Sequence, residues 1–320
     1  MNKMSKTNVQ RFITRYATIM ALIFIVLMFS IFIKGFAAPK NLTNILKQIA
    51  LLTVIAEGFT MCLIVDQLDM SFANVACLSG IISARLILSG QPTAVAVLVP
   101  VLAGAAIGMC SGLLVTKVGI SSLITTLSMS IVASGLNYWI TGGISLFGAM
   151  PDSFLAFGRG EVLGIPSLIV IMLIFLVASY IFVTKTKAGL YLQAIGANTE
   201  ATKLSGINTD VYKIMALMIC STCAAFTGVL LTSKLGAGNP EAASGYMTDT
   251  FCAALLGTTV INVGLANPIG TFVGALMIGV LNNGMTLAGA QYYMQDIAKG
   301  LIMVLSVSIA SSQAKKYSRN

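Results

Sequence analysis

Ionisable side chains are scarce in the apolar parts of this sequence, so each of them is a candidate for chemistry. A charge at membrane depth costs about 3 kcal/mol on insertion scales, and it therefore marks a transport pathway or an ion pair. Glu57 and Asp69 could hold a proton or a sodium ion, and Asp69 could equally be a structural hinge. Asp296 and Lys299 have the i, i+3 spacing of a helical ion pair. The full set is Glu57, Asp66, Asp69, Arg85, Asp249, Asp296 and Lys299, some of which could instead snorkel to a membrane interface.

Residues that could bind a metal or catalyse a reaction are almost missing. The chain has no histidine, which excludes histidine-based triads and histidine-ligated metals. Its six cysteines all fall in apolar stretches, and Cys220-x-x-Cys223 is better explained as two small apolar residues one helical turn apart. No G-x-x-x-x-G-K-[ST] phosphate-binding loop occurs. We therefore expect no catalytic residue, metal or cofactor in this chain, and any ATP it uses must be hydrolysed by another chain.

Two neighbouring amides are the remaining polar candidates. Asn282 and Asn283 are adjacent at a predicted helix end, where they could hydrogen-bond either a polyol or neighbouring backbone groups. The glycines around them, between residues 264 and 284, indicate close contact between helix backbones.

Composition places these residues in an integral membrane protein. Hydrophobic residues make up 57% of the 320 residues, charged residues 9%, and the mean hydropathy is +0.92. At roughly 20 residues per span, the length allows about ten helices joined by short loops. The predicted fold is therefore all-α and polytopic. The predicted spans are 17–34, 45–64, 70–88, 93–116, 120–140, 166–184, 212–232, 249–264, 267–283 and 293–311.

Some of these spans are expected to be broken or re-entrant helices. Asp66, Gln67 and Asp69 interrupt the apolar sequence between the second and third spans. The eighth and ninth spans almost touch at Asn267-Pro268. Irregular backbone inside a membrane is tolerated where it lines a cavity or is buried in protein, so these breaks are candidate functional positions.

The basic residues predict the orientation. An even number of spans puts both termini on one side, and the positive-inside rule makes that side, with the 185–211 loop, cytosolic. The net charge of +9 then reflects topology and contact with anionic membrane lipids, and nucleic acid is not an expected partner. The residues collected on this side are Lys3, Lys6, Arg11, Arg15, Lys117, Lys185, Lys187, Lys203, Lys213, Lys315, Lys316 and Arg319.

The 185–211 loop is the longest polar interruption after Gln10, and it predicts a short exposed helix. Asn198 or Thr199 can cap that helix, Glu200 favours its first turn, and Gly206 stops it shortly after Leu204. A membrane protein that presents such a helix to the cytosol is expected to dock it on a partner.

Five stretches in order then resemble a known family. The first two are DQLDMSFANVACLSG (66–80) and GISSLITTLSMSIVASGLNYWITGG (119–143). The others are AIGANTEATKLSGI (194–207), GTFVGALMIGVLNNGMTL (270–287) and DIAKGLIMVLSVSIA (296–310). Together they are similar to permeases of bacterial ABC importers, in the branch for ribose, xylose, arabinose, galactose and autoinducer-2. The similarity runs from about residue 45 to about residue 310, and although each stretch is a loose apolar pattern, five in order are a specific signal.

This resemblance implies one transmembrane permease domain over residues 1–320, in the bacterial inner membrane, that imports a monosaccharide or a related small polyol. The implied partners are an ABC ATPase that binds ATP and Mg, an identical or related second permease, and an extracytoplasmic sugar-binding protein. The implied coupling helix, which docks on the ATPase, uses Gly196, Asn198, Thr199, Glu200, Ala201, Leu204, Ser205 and Gly206. The hypothetical substrate pathway uses Glu57, Asp69, Ser71, Asn137, Asn282 and Asn283.

The chain departs from the family pattern in ways that bear on its substrate and its partner. Asp66-Gln67 replaces a double glycine, Ala73 replaces a glycine, and Leu190 replaces an arginine. The glycine-rich run at 257–270 also lacks its usual arginine. These changes fit either an unusual substrate or the more divergent half of a heterodimeric permease, and we favour the second.

Two other classes of protein stay open on sequence alone. A stand-alone secondary transporter would use Glu57 or Asp69 as a proton or sodium site and would need no ATPase. A structural membrane protein would need neither buried carboxylates nor a docking helix. This class therefore does not explain why the sequence contains both.

Overall fold

Long apolar helices make up most of the chain. The structure, a computed structural model, describes residues 3–260 and 264–317, with side chains from 18 to 260 and from 264 to 304. Part of the basic set behind the predicted orientation lies outside this description: Arg319, and the side chains of Lys3, Lys6, Arg11, Arg15, Lys315 and Lys316.

The helices and the one small hairpin follow in chain order. The first half contains α1 (Lys3–Phe32), α2 (Pro39–Ile64), α3 (Phe72–Leu88), α4 (Thr93–Leu113, continued by a π-helical turn at Leu114–Val118), α5 (Ser122–Thr141), α6 (Asp152–Arg159) and the hairpin β1 (Glu161–Val162) with β2 (Ile165–Pro166). The second half contains α7 (Ser167–Lys185), α8 (Lys187–Ala197), α9 (Thr199–Leu204), α10 (Thr209–Leu235), α11 (Tyr246–Gly257), α12 (Pro268–Leu287) and α13 (Tyr292–Tyr317).

Six helices of the described chain are long and apolar enough to cross a membrane: α2, α4 with its π-helical turn, α5, α7, α10 and α12. Two shorter apolar stretches, Thr18–Phe32 and Phe72–Leu88, accompany them. The fold is thus mostly helical with several spans, as expected, and the total of about ten stays a prediction.

The predicted interruption between the second and third spans is present. The α2 helix ends at Ile64 and α3 begins at Phe72, and between them Asp66 adopts a left-handed conformation with φ of 55°. The segment 65–71 is called the break below. A polar sequence inside an apolar block has therefore ended one helix and begun another, with Asp69 and Ser71 buried between them.

The predicted eighth span, 249–264, is wrong in its extent. The corresponding helix α11 ends at Gly257, where a Cβ would lie 2.5 Å from the Thr271 amide nitrogen of α12. Thr258 and Thr259 then turn their hydroxyls back to the Leu255 and Leu256 carbonyls, a bonding pattern that competes with helix continuation.

The chain divides into two compact units, of which the first comprises Met1–Ile49 and Thr248–Asn320. Within it α1 and α12 approach closely, since a Cβ at Gly284 would overlap the Phe29 ring. The Asn267 side chain begins α12 by accepting a hydrogen bond from the Gly270 amide at 2.7 Å.

The second unit, Ala50–Met247, is organised around α10, which packs on α3, α4 and α6. Three glycines one turn apart, Gly104, Gly108 and Gly112, place α4 directly against the α10 backbone. A Cβ on Gly108 would lie 2.6 Å from the Leu217 carbonyl oxygen, so the backbones of these helices approach closely. This contact of Gly104, Gly108 and Gly112 with α10 is called the glycine seam below. It holds α10 in place beside the break.

Candidate functional site

The polar 185–211 loop folds as two helices, α8 and α9, at one end of the second unit. The predicted short helix is present as α9, and Asn198 rather than Thr199 is its cap. The Asn198 Oδ1 atom accepts a hydrogen bond from the Ala201 amide at 2.9 Å, and Gly206 ends the turn with φ of +84°. Thr199 instead donates its hydroxyl to the Ile195 carbonyl at 3.0 Å.

The outer surface of α9 carries side chains that make few contacts within the chain. Leu204 is 89% exposed, and Glu200, Ala201, Ser205 and Gly206 are also exposed. An isolated six-residue helix is not stable in water, and one that ends in an exposed leucine has the properties of a surface for a partner.

Gly196 has a different environment from the rest of the predicted coupling residues. It lies in the last turn of α8, where a Cβ would overlap the carbonyl oxygen of Ile64 at the end of α2. Leu192 and Ile195 of the same helix are fully buried. Gly196 therefore belongs to the contact between the loop and the membrane helices, although its other side is exposed.

The break buries Asp69 and Ser71, which the structure brings together. Asp69 Oδ1 accepts hydrogen bonds from the Ser71 amide at 2.7 Å and from the Ser71 hydroxyl at 2.6 Å. The second carboxylate oxygen, Oδ2, has no hydrogen bond of good geometry within the described residues, and the nearby Ser221 hydroxyl has none either. This arrangement leaves an acceptor and a hydroxyl available for a ligand group or a small rearrangement.

The break is attached to the start of α5 through two backbone amides. The Leu68 amide donates to the Ser122 hydroxyl at 3.2 Å, and the Met70 amide donates to the Thr126 hydroxyl at 2.9 Å. These side chains satisfy backbone groups that no helix satisfies, in a segment where Asp69 and Ser71 are buried while Asp66 and Leu68 are exposed.

Two cysteines lie beside Asp69. Cys62, Asp69 and Cys220 each place one ligand atom within 4.8 Å of the others, and all three are buried. A soft metal ion could use such a spacing. Cys62 instead donates its thiol hydrogen to the Ala216 carbonyl at 3.4 Å, so it already serves helix packing. The expectation that the chain binds no metal stays a prediction.

Glu57 is fully buried in the second half of α2, which ends at Ile64. The Ser179 hydroxyl of α7 lies near its carboxyl group, but neither carboxylate oxygen has a hydrogen bond of good geometry within the described residues. No basic side chain pairs with it in the described part of the second unit. Glu57 is therefore a buried carboxyl group whose burial no partner among the described residues explains, which is what we expect of a pathway residue.

Asn137 lies at the opposite end of the second unit, under the loop 236–245. Its amide nitrogen donates to the Pro240 carbonyl at 2.6 Å, while its amide oxygen is buried without a partner among the described residues. The neighbouring Tyr138 hydroxyl donates to Glu241 at 2.7 Å, and Leu146 and Gly238 exchange two backbone hydrogen bonds. Asn137 thus holds this loop through its amide nitrogen, and its Oδ1 atom could accept a further hydrogen bond.

The two amides of α12 lie in the first unit and differ in their roles. Asn283 exchanges hydrogen bonds with Asn41, at 2.8 and 3.0 Å, so its side chain is occupied in helix packing. Asn282 donates to Asp249 Oδ2 at 3.2 Å. Asp249 is also the nearer partner of Lys299, at 2.7 Å, whereas Asp296 lies at 3.8 Å. The predicted i, i+3 ion pair between Asp296 and Lys299 is therefore present, and α13 also presents Lys299 to a closer carboxylate of α11, which the sequence did not predict.

Several residues of these sites were not among the sequence candidates: Asn41, Cys62, Ser122, Thr126, Cys220 and Ser221. Each contacts a residue far away in the chain, and no local spacing in the sequence marks such a contact. Small polar residues inside apolar helices, as in Cys220-Ser221-Thr222-Cys223, were the available signal.

Comparison with known proteins agrees with the family resemblance. Residues 41–307 match the family described as the branched-chain amino acid transport system permease component. The ribose import permease protein RbsC of Escherichia coli K12 is 32% identical over 295 residues, which cover 91% of this chain and 92% of the relative. The D-allose transport system permease protein AlsC of the same strain is 30% identical over 304 residues, covering 94% and 93%.

A third relative and the solved structures complete the comparison. The L-arabinose ABC transporter permease protein AraH of Azospirillum brasilense is 28% identical over 303 residues, covering 95% of this chain and 89% of the relative. No solved structure matches this chain. The chain therefore belongs to the branched-chain amino acid transport system permease family, as a multi-pass inner-membrane permease subunit of an ABC importer and not as an enzyme.

Proposed function

We propose that this chain imports a monosaccharide or a related small polyol, driven by ATP that a separate ABC ATPase binds with Mg and hydrolyses. The relatives named for ribose, D-allose and L-arabinose, each matched over most of its length, support the sugar class. In the proposed assembly, two permease subunits lie above two ATPase subunits, and an extracytoplasmic binding protein delivers the solute. The chain has about ten spans, with both termini and the 185–211 loop in the cytosol.

The exposed helix α9 is the observation that carries this proposal. It is capped at its start by Asn198, it is ended by Gly206, and it turns Leu204 fully outward at the polar end of the second unit. An apolar side chain on a small rigid helix is suited to insert into a groove of another protein. We assign α9 and its flanking residues as the coupling helix.

The proposed pathway runs past buried groups with free acceptor oxygens. Sugar hydroxyls are hydrogen-bond donors, and Asp69 Oδ2, Asn137 Oδ1 and the Glu57 carboxylate have no well-formed hydrogen bond within the described residues. Ser71 positions Asp69, and Asn282 has a half-buried amide next to Asp249. Asn283 is the weakest of the proposed pathway residues because Asn41 already occupies its amide.

The proposed mechanism uses these groups without tight binding of the solute. ATP binding closes the two ATPase subunits, the coupling helices follow, and the permease pair alternates the side on which its pathway is open. The extracytoplasmic protein supplies most of the selectivity. A pathway with few polar groups is sufficient for a solute that must be released quickly.

The departures at Asp66, Gln67, Ala73 and Leu190 support a heterodimeric permease in which this chain is the more divergent half. Asp66 supports this because it occupies a left-handed position that glycine adopts at no steric cost. Leu190 is 55% exposed on α8, where it replaces a charged residue by an apolar one near the proposed ATPase surface.

The experiment that tests the proposal is gentle solubilisation from the native membrane, capture by a terminal tag, and identification of the partners by mass spectrometry. A stoichiometric P-loop ATPase supports the importer, and a second, related permease supports the heterodimer. Uptake of labelled ribose, allose and arabinose into vesicles is then measured with and without ATP. Recovery of this chain alone, with uptake that follows a proton or sodium gradient, would overturn the proposal in favour of a secondary transporter.

A further inference from the structure

The end of α8 lies directly on the end of α2, next to the break that buries Asp69. We propose that Gly196 is a positioning residue that transmits movement of the coupling helix to this break, through backbone contact with Ile64. The proposal rests on the coupling role proposed above for α9. It connects the surface where the ATPase would act to a buried carboxylate of the proposed pathway.

The first step is that α8 and α9 move together. The Thr202 hydroxyl of α9 lies within hydrogen-bond distance of two carbonyls, that of Ala194 in α8 at 2.9 Å and that of Asn198 at the cap at 2.8 Å. Thr199 adds a bond to the Ile195 carbonyl at 3.0 Å. The junction between the helices is thus fixed by two side-chain hydroxyls, and a force on α9 displaces the last turn of α8 with it.

The second step is the contact between α8 and α2. A Cβ on Gly196 would overlap the Ile64 carbonyl oxygen, so the two backbones touch without a side chain between them. Flexible side chains can absorb a displacement by changing rotamer, whereas backbone in contact with backbone cannot. The α8 helix is also attached to the end of α7, through the Gln193 side chain and the Val183 carbonyl at 2.8 Å, and to α10, where the Tyr191 and Tyr212 ring centroids are 5.3 Å apart.

The third step leads from Ile64 to Asp69. The chain leaves α2 through Asp66, which adopts a left-handed conformation with φ of 55°. The Gln67 amide remains bonded to the Cys62 carbonyl of α2 at 2.9 Å, so this turn is held against the helix end. Asp69 follows two residues after Gln67, inside an irregular segment that the Ser122 and Thr126 hydroxyls of α5 hold. A displacement of Ile64 therefore moves the break and changes the surroundings of Asp69 Oδ2.

The competing interpretation is that Gly196 only allows close packing. Under that interpretation, nucleotide changes α9 without changing the break, and any substitution that folds transports normally. The two interpretations differ in the response of residues 65–71, which can be measured in the unmodified complex.

The first test is hydrogen–deuterium exchange on the complete wild-type complex in lipid nanodiscs, without nucleotide and with MgATP. We expect exchange to change in the peptide containing residues 195–206 and also in the peptide containing 65–71. A change at 195–206 alone would overturn the proposal while leaving the coupling helix in place. No change at either segment would overturn both this proposal and the assignment of α9 as the coupling helix.

The second test compares Gly196→Ala with Gly135→Ala. Gly135 also lies within a helix, but a Cβ there meets no atom within 4 Å. We expect Gly196→Ala to retain the ATPase partner and ATP hydrolysis but to lower solute transported per ATP by about fivefold or more, a typical size for coupling between sites. Gly135→Ala should keep the wild-type ratio. A wild-type ratio in Gly196→Ala would overturn the proposal, and if that variant fails to assemble, the exchange test on the wild type decides.

Discussion

Lys299 Nζ lies 2.7 Å from Asp249 Oδ1, so an ion pair joins α13 to α11 inside the first unit. The two side chains are only 12% and 17% exposed. Asn282 of α12 adds a hydrogen bond to the other Asp249 oxygen at 3.2 Å. Three helices therefore meet at the Asp249 carboxylate. Lys299 and Asn282 together compensate for the free energy lost when this charge is removed from water.

Replacement of Lys299 by methionine should destabilise the protein. Asp249 would keep the Asn282 amide but lose its counter-charge, and breaking a buried pair from one side costs about 3 kcal/mol. The matched control is Asp296→Asn, because Asp296 lies 3.8 Å from Lys299 and is 68% exposed. Its effect should stay below about 1 kcal/mol.

Thermal unfolding in detergent checks this prediction through the midpoint temperature. The exchanged pair, Asp249→Lys with Lys299→Asp, should recover part of the loss, since it restores opposite charges at the same positions. Equal midpoints for Lys299→Met and Asp296→Asn would contradict a stabilising role for the Asp249 contact.

Asp69 offers a test that separates structure from transport. Asp69→Asn keeps an amide oxygen for the two Ser71 donors but removes the charge and one acceptor, whereas Asp69→Ala removes both. We expect the alanine variant to lose about 2 kcal/mol of stability through unpaired buried groups, and the asparagine variant to lose much less. If the free oxygen serves the solute, Asp69→Asn should transport about tenfold more slowly, because a hydrogen bond to a charged group contributes about 1.5–3 kcal/mol.

Vesicle uptake and thermal unfolding, measured on the same two variants, decide the role of Asp69. A normal transport rate in a stable Asp69→Asn protein would remove this carboxylate from the pathway and leave it as a structural partner of Ser71. Ser130→Ala is a suitable control for buried polar substitutions, because Ser130 accepts a hydrogen bond from Asn74 elsewhere on the α3–α5 contact.

Local features of the sequence predicted local features of the fold. Asp66, Gln67 and Asp69 marked the break, and Asn198, Glu200 and Gly206 marked α9, because polar and left-handed positions act on the residues next to them. The end of α11 at Gly257 was missed, although Thr258 and Thr259, which turn their hydroxyls back to α11, follow it directly. The close contact of Gly257 with Thr271 comes from another helix, and no local spacing shows it.

Pairings between distant residues could not be predicted from local spacing either, because the partner lies on another helix. Asn283 was predicted to bind either a polyol or backbone, but it pairs with Asn41, which lies 242 positions away. Lys299 was assigned to its neighbour in the helix, although Asp249 approaches it more closely from α11. Spacing shows which residues share a helix face, and only tertiary packing decides what that face meets.

The exposed leucine of α9 predicts a sharp loss of partner binding. Leu204→Asp places a charge where an apolar side chain would enter a groove, so we expect at least a tenfold drop in co-purified ATPase, or about 1.4 kcal/mol of binding free energy. Leu163→Asp is the matched control, because Leu163 is 99% exposed on the β1–β2 hairpin at the other end of the second unit. Retention of the ATPase by Leu204→Asp would contradict the docking role, while its loss in both variants would indicate a general defect.

The glycine seam between α4 and α10 predicts opposite effects for the same substitution at two positions. Gly108→Ala would push a Cβ to 2.6 Å from the Leu217 carbonyl oxygen and 2.8 Å from the Met218 Cα, so it should destabilise the protein by about 1–3 kcal/mol. Gly135→Ala, in open space on α5, should instead stabilise its helix by up to about 1 kcal/mol, because alanine has the higher helix propensity. Unfolding midpoints of the two variants should therefore shift in opposite directions from the wild type. A rise in both would mean that α4 can move away from α10 at little cost, and the seam would then not hold α10 beside the break.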